Sequence, residues 1–253
     1  MSDAGRLPGG MPGAGAPDGG TPDAGHPDAG RPDAGAPDAG AKPKGKQLQL
    51  TFDDGPDPVA SALRPILGHV ATLGVKAGFF VIGEEVKTRH SAIAEITKVG
   101  HVIGNHSWDH MEKGTASYSD EDIYEQFRKT HAEVKSAGVD MEHWRAPRGE
   151  DAPRVAGILL RPKPPKRSLY TLEHCDWHAD SKDAQGSSTA SAMIKAIESD
   201  FTNTGIVPLR LSDGTRAWRL LFHVVDSTAK HLPDVLKHFA SQGDRFIDFS
   251  QSR

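Results

Sequence analysis

Residues 47–253 switch repeatedly between two hydrophobic periods. In "QLQLTF" (47–52), Leu48, Leu50 and Phe52 alternate with polar residues, the period of a strand. "PVASALRPILGHVATLG" (58–74) has the helical period, interrupted at Pro65. "AGFFVIG" (77–83) is a short apolar run between glycines and reads as a buried strand. "SAIAEITKVG" (91–100) reads as a helix stopped by Gly100, and "HVIGNH" (101–106) as a strand. The clearest helix is 119–138, with Ser119 as cap, Asp122 three residues on and Gly138 as stop. Short strands are predicted at 142–147 and 168–177, a helix over 187–201, a strand over 219–225 and a final helix over 232–243, before "RFIDF" (245–249).

Strand followed by helix, about seven times over, predicts an α/β fold with parallel strands. A distorted, incomplete (β/α) barrel accommodates the units better than two domains do. Enzymes built this way carry their chemistry at the carboxyl ends of the strands.

Composition changes the picture at the amino end. Residues 1–46 contain "TPDAGHPDAGRPDAGAPDAG", a five-residue repeat with no aromatic and almost no large apolar side chain. Pro and Gly at this density cannot bury enough surface to offset the entropy of ordering. A disordered linker is expected over 1–46 and one catalytic domain over 47–253. The net charge of −4, with no dense basic stripe, argues against nucleic acid as a partner. No apolar run is long enough for a membrane span. The single cysteine, Cys175, rules out an internal disulfide framework and is expected to be a buried thiol. "MSDAGRLPGG" lacks the basic head and apolar centre of a signal peptide. A Pro/Gly spacer ahead of a folded domain nevertheless suits a tethered envelope protein. Export to the periplasm or cell surface is therefore expected, with a signal or anchoring cysteine ahead of this tail. A monomer is expected.

The polar residues test the barrel reading. Asp53 and Asp54 end the first strand, His106 and His110 follow the third, and Arg145 ends the strand at 142–147. Asp180 and Asp183 follow "TLEHCDW", and His223 ends "RLLF". Five strands thus deliver ionisable residues at one end. Two adjacent carboxylates repel, and a cation or a division of catalytic roles would offset that cost; an ordinary polar turn is the alternative. His-x-x-x-His with a carboxylate is a donor set for zinc or another divalent ion. Asp54 can complete that set, leaving Asp53 as base. His223 is a candidate acid that Asp183 can orient, and Arg145 a candidate to hold Asp53 ionised. Taken singly, each has a plainer alternative: a surface His pair, a core histidine, a surface salt bridge.

In order and spacing, "TFDDGPD", "HSWDH", "RAPRG", "DSKD" and "LLFH" resemble the motifs of the polysaccharide deacetylases, carbohydrate esterase family four with the nodulation-protein-B homology domain. The resemblance spans nearly all of 47–250. It implies a distorted (β/α) barrel and a divalent ion, most often zinc, on Asp54, His106 and His110. It implies Asp53 as general base, Arg145 as its holder, His223 as acid tuned by Asp183, a backbone N–H of Arg148 at the oxyanion, and Leu221 against the acetyl methyl group. The reaction implied is removal of N-acetyl groups from an N-acetylglucosamine polysaccharide of peptidoglycan or chitin type. Alternatives are an O-acetyl esterase on a xylan-like glycan and an inert tethered glycan-binding domain. A non-haem iron oxygenase would share the donor set, but its usual all-β fold does not match the alternation. Three positions depart from the family: Ala184 stands where Trp is usual, Val224 where Asp follows the histidine, and Arg148 where Tyr is usual. The charge of Arg148 implies a preference for an anionic polymer.

Overall fold

The computed structural model describes residues 45–56, 61–160, 172–185 and 189–249. The linker expected over 1–46 falls, but for its last two residues, outside the described residues.

One sheet organises the chain. Strand β1 (Gln47–Gly55) pairs in parallel with β2 (Gly78–Val81) on one side and β8 (Arg216–His223) on the other. Beyond β2 come β3 (Val102–Asn105), β4 (His143–Trp144) and β5 (Glu173–His174), and beyond β8 comes β6 (Ala179–Asp180), all parallel. The two-residue β7 (Leu209–Arg210) lies antiparallel on β8, and β9 (Arg245–Phe246) is parallel to β1. In the order β5-β4-β3-β2-β1-β8-β6 the two end strands are not paired with each other, so the barrel is incomplete, as expected. Residues 175–178 cross the gap between them.

The helices cover one face of this sheet. They are α1 (Leu63–Ala71), α2 (Gly83–Thr88), α3 (His90–Lys98), α4 (Asp120–Ser136), α5 (Ala152–Leu159), α6 (Ala190–Thr202) and α7 (Asp226–Ser241). Leu48, Leu50 and Phe52 of β1 join Ile66, Val70, Ile197 and Leu236 in one buried cluster. Phe52 stacks on its ladder partners Phe79 and Phe222, with ring centroids 4.9 and 5.8 Å apart.

The alternation in β1 has a second meaning. Its polar positions are not on a wet face: Gln49 and Thr51 are wholly buried inside the barrel and Asp53 is 2% exposed. Such groups must find partners. The Gln49 amide donates to the Asp248 carbonyl (3.2 Å) and accepts from Arg219 Nε (3.2 Å). The Thr51 hydroxyl donates to the Leu220 carbonyl and accepts from Arg145 Nη1.

Several elements went unpredicted or shifted. α2 and α5 carry too few apolar repeats to register, and β6 and β7 are two residues each. α7 starts six residues before the predicted 232, because Pro233 sits inside it rather than opening it. Of the strand predicted at 168–177, residues 172–177 are described, and among them only Glu173–His174 form a strand, β5.

Candidate active site

β1 ends on two carboxylates that face one cleft. In a regular strand, neighbours point to opposite faces. Here Asp54 takes a left-handed φ of 62°, and the register against β2 slips between Phe52 and Gly55. Both side chains therefore reach the same end of the barrel. Non-glycine residues at positive φ gather around that end: Asp54, Ser107, His110, Arg148 and Lys182. Such conformations persist only where the surroundings over-determine them.

The carboxyl ends of β1, β3, β4, β6 and β8 converge; Asp180 and Asp183, expected after the strand at 168–177, lie in and just beyond the unpredicted β6. Asp54 Oδ1 is 3.5 Å from His106 Nε2 and 3.4 Å from His110 Nε2. One donor atom from each of the three residues lies within 4.8 Å of the others. Asp54 Oδ1 is buried with no hydrogen-bond partner. An orphaned carboxylate oxygen between two imidazole nitrogens is what a cation would satisfy. His106 Nδ1 bonds the Arg145 carbonyl at 3.0 Å, which puts the proton on Nδ1 and leaves the Nε2 lone pair toward Asp54. Burial, only partly opposed by Asp54, drops the His106 pKa to about 3, so the ring is neutral, the state a ligand needs. On these observations the three residues fit a divalent ion.

Asp53 is held from beneath. Arg145, wholly buried, donates from Nη1 to Asp53 Oδ1 at 2.6 Å and from Nε to the Cys175 carbonyl at 2.7 Å. Its guanidinium lies over the Phe80 ring, 4.0 Å from the centroid. Burial lifts the Asp53 pKa above the ordinary carboxylate range, while the charges of Arg145, His223 and His110 pull it back. The expected tie between Arg145 and Asp53 is present, but here burial outweighs it, leaving Asp53 a stronger base than an exposed aspartate.

His223 is the ladder partner of Asp53 across β1 and β8. Its Nδ1 bonds Asp183 Oδ1 at 2.7 Å, and its backbone N–H donates to Asp183 Oδ2 at 2.7 Å. The Thr228 hydroxyl also donates to Asp183 Oδ2. Burial alone would raise the Asp183 pKa, but the bonds from His223 and Thr228 win and lower it. Burial likewise works against a charge on His223. Asp183, with Asp53 and Asp54 further off, overcomes it and raises the His223 pKa to about 9. The two sides of the cleft thus hold a carboxyl group and an imidazole, both with raised pKa values.

A cleft of about 210 Å³ opens over these groups, lined by Asp53, His106, His110, Arg148, Trp177, Asp180, Leu221 and His223. Leu221 and Arg148 both line this cleft. Trp177 and Asp180 are the lining residues to which the sequence assigned no role. Trp177 comes from the segment that crosses the barrel gap. Its ring edge would lie 2.8 Å from a β-carbon at Gly149, which also has φ 68°, so only glycine fits there. The absence of Trp at 184 does not leave the cleft without an indole. The one sequence-level signal was the "CDW" that ends a predicted strand next to a motif. The Arg148 charge is not free in the cleft: Nε donates to Glu150 Oε1 at 3.0 Å and Nη2 to the Met111 carbonyl at 2.7 Å. This removes the basis for expecting a preference for anionic polymer.

The sequence profile of the polysaccharide deacetylase family matches residues 40–160. A peptidoglycan-N-acetylglucosamine deacetylase of Listeria monocytogenes is 28% identical over 210 residues, 81% of this chain and 38% of the relative. The chain thus spans well under half the length of that relative. A peptidoglycan-N-acetylglucosamine deacetylase of Bacillus cereus is 27% identical over 217 residues, 81% of this chain and 87% of the relative. Among solved structures, a carbohydrate esterase family four pseudoenzyme from Bacillus anthracis superposes with a TM-score of 0.65 at 20% identity, covering 83% of this chain and 66% of that one. That last likeness bears on the fold alone.

Proposed function

The chain belongs to the polysaccharide deacetylase family, and from that premise we propose that it is a metal-dependent hydrolase removing N-acetyl groups from an N-acetylglucosamine polysaccharide. One observation carries the reading. Asp53 and His223 are ladder partners on adjacent parallel strands, each held by its own buried counter-charge, beside the Asp54–His106–His110 donor set.

Asp54, His106 and His110 would hold the ion, with zinc the natural match to two imidazoles and a carboxylate. A divalent ion there supplies Lewis acidity to an acyl oxygen and lowers the pKa of water. The chain's own groups do the rest. Asp53 Oδ2, the oxygen nearer the donor set, takes the proton of the attacking water while Arg145 fixes the other oxygen. The Arg148 backbone N–H is assigned to the developing oxyanion. Leu221 packs on the acetyl methyl group. His223 enters protonated and gives its Nε2 proton to the leaving amine. Asp183 keeps Nδ1 occupied throughout, so the proton can leave only from the cleft side. Acid and base steps of this kind are each typically worth ~10²–10⁴-fold in rate. The products are acetate and a free amino sugar. Among the described residues no helix is long and apolar enough to cross a membrane. Action on cell-wall polymer outside the cytoplasm follows from the proposed substrate.

Acetate release from chitooligosaccharide, peptidoglycan and acetylxylan, each with zinc and with chelator, tests the reading. Metal-dependent release from the first or second is expected. Release from acetylxylan alone would make the chain an O-acetyl esterase. No release from any, with zinc bound, would make it a glycan-binding domain.

A further inference from the structure

The two histidines of the donor set are held with opposite polarity. His106 Nδ1 faces a carbonyl, which only accepts, at 3.0 Å. His110 Nδ1 faces Nη1 of Arg148, at 3.1 Å. A guanidinium only donates, so His110 Nδ1 must be the acceptor. A neutral imidazole with an accepting Nδ1 carries its proton on Nε2. That is the nitrogen turned to Asp54 Oδ1, the one that would have to ligate. Ligating histidines ordinarily donate their other N–H to a carboxylate, carbonyl or water, which raises their basicity. At His110 the arrangement is reversed.

Arg148 is not there by chance rotation. Its Nη1 also approaches the His110 carbonyl (3.4 Å), Nη2 donates to the Met111 carbonyl (2.7 Å), and Nε is fixed by Glu150 (3.0 Å). Glu150 in turn accepts from the Thr115 backbone N–H at 3.0 Å. The backbone at Arg148, His110 and Met111 is left-handed at all three residues, so the two loops meet in a defined geometry.

We propose that Arg148 is a positioning residue that keeps metal affinity at Asp54, His106 and His110 low and the ion exchangeable, by holding His110 with its N–H on Nε2. The inference rests on the metal-dependent reading above. Were an ion held by Nε2, the neutral ring would carry its proton on Nδ1. Nδ1–H then faces Nη1–H, two donors in contact, so the Arg148–His110 bond breaks and the guanidinium turns toward Glu150. The positive charge beside the ion acts in the same direction.

The test is zinc titration of the full, metal-stripped chain against a fluorescent chelator, for the wild type, Arg148→Gln, Arg148→Met and Asp54→Asn. Both Arg148 variants are expected to bind zinc about tenfold more tightly, the scale on which partners of metal ligands act. Wild-type affinity or weaker in both, with unchanged thermal unfolding of the stripped proteins, overturns the inference. Imidazole nitrogen NMR of the wild type needs no variant: His110 should be the Nε2–H tautomer without zinc and the Nδ1–H tautomer with it. The Nδ1–H form in both states also overturns it. If the wild type takes up no zinc, or Asp54→Asn takes up as much, the metal reading itself falls and this inference falls with it. Equal affinity of wild type and Arg148 variants, with none in Asp54→Asn, sinks this inference alone.

Discussion

Asp53 and Asp54 are neighbours in sequence with different surroundings, and this separates their roles. Asp53 is locked to Arg145, whereas Asp54 faces His106 and His110 with one buried oxygen that has no hydrogen-bond partner. Asp53→Asn is therefore expected to cut acetate release by ~10²–10⁴-fold while zinc binding stays intact; equal rates would remove Asp53 as base. His223 sets a pH dependence with a definite sign. The reactive form is protonated and its pKa is raised to about 9, so kcat/KM should fall above that pH. Asp183→Asn removes the charge that sustains the shift and should move this limb down toward the ordinary imidazole value, about 6.5. The same shift bears on stability. A histidine whose folded pKa exceeds its unfolded one stabilises fully below about 6.5, and the contribution is lost as pH rises through about 9. Urea midpoints of metal-free protein across that window should decline in the wild type and less in Asp183→Asn. At this scale the sequence was most legible where chemistry clusters in short motifs: Asp53, Asp54, His106, His110, Arg145 and His223 come together at one end of the barrel. What it hid were contacts set by distant partners. Nothing local to Arg148 says that its guanidinium meets His110, nor does "CDW" say that Trp177 rests on Gly149.

Among the elements, legibility followed length and period. The helix predicted over 119–138 is α4, opened by a reciprocal capping box between Ser119 and Asp122. Ser119→Ala should lower stability by about 1 kcal/mol, read from the urea midpoint, with acetate release per folded molecule unchanged. Strands of two residues, such as β6 and β7, have no period to detect, and the ladder alone makes them visible. β1 was legible as a strand but not as a strand buried on both faces. Polar alternation ordinarily means water on one side; here Gln49, Thr51 and Asp53 face a barrel interior supplied with Arg145 and Arg219. The segment that spans the gap is tied to both arginines: Arg145 bonds the Cys175 carbonyl and Arg219 bonds the Asp176 carbonyl at 3.3 Å. Arg145 therefore supports the Trp177 wall as well as Asp53.

For the whole molecule, composition by itself separates the amino-terminal repeats from the domain that follows. The Pro-Asp-Ala-Gly repeats contain no aromatic and almost no large apolar side chain. Removing residues 1–44 should leave kcat on a short soluble chitooligosaccharide unchanged; a large loss would mean that the repeats contribute to turnover. The strand order has a consequence of another kind. Base and acid meet only because β8 docks beside β1, across a sequence separation of about 170 residues. Contacts that distant carry a large loop-closure cost and form late. A ribosome that has released β1 to β5 has exposed the donor set and the base, but no acid. On the proposed mechanism, a translation product that ends before β8 lacks the acid and should release acetate at least ~10²-fold more slowly than the full chain.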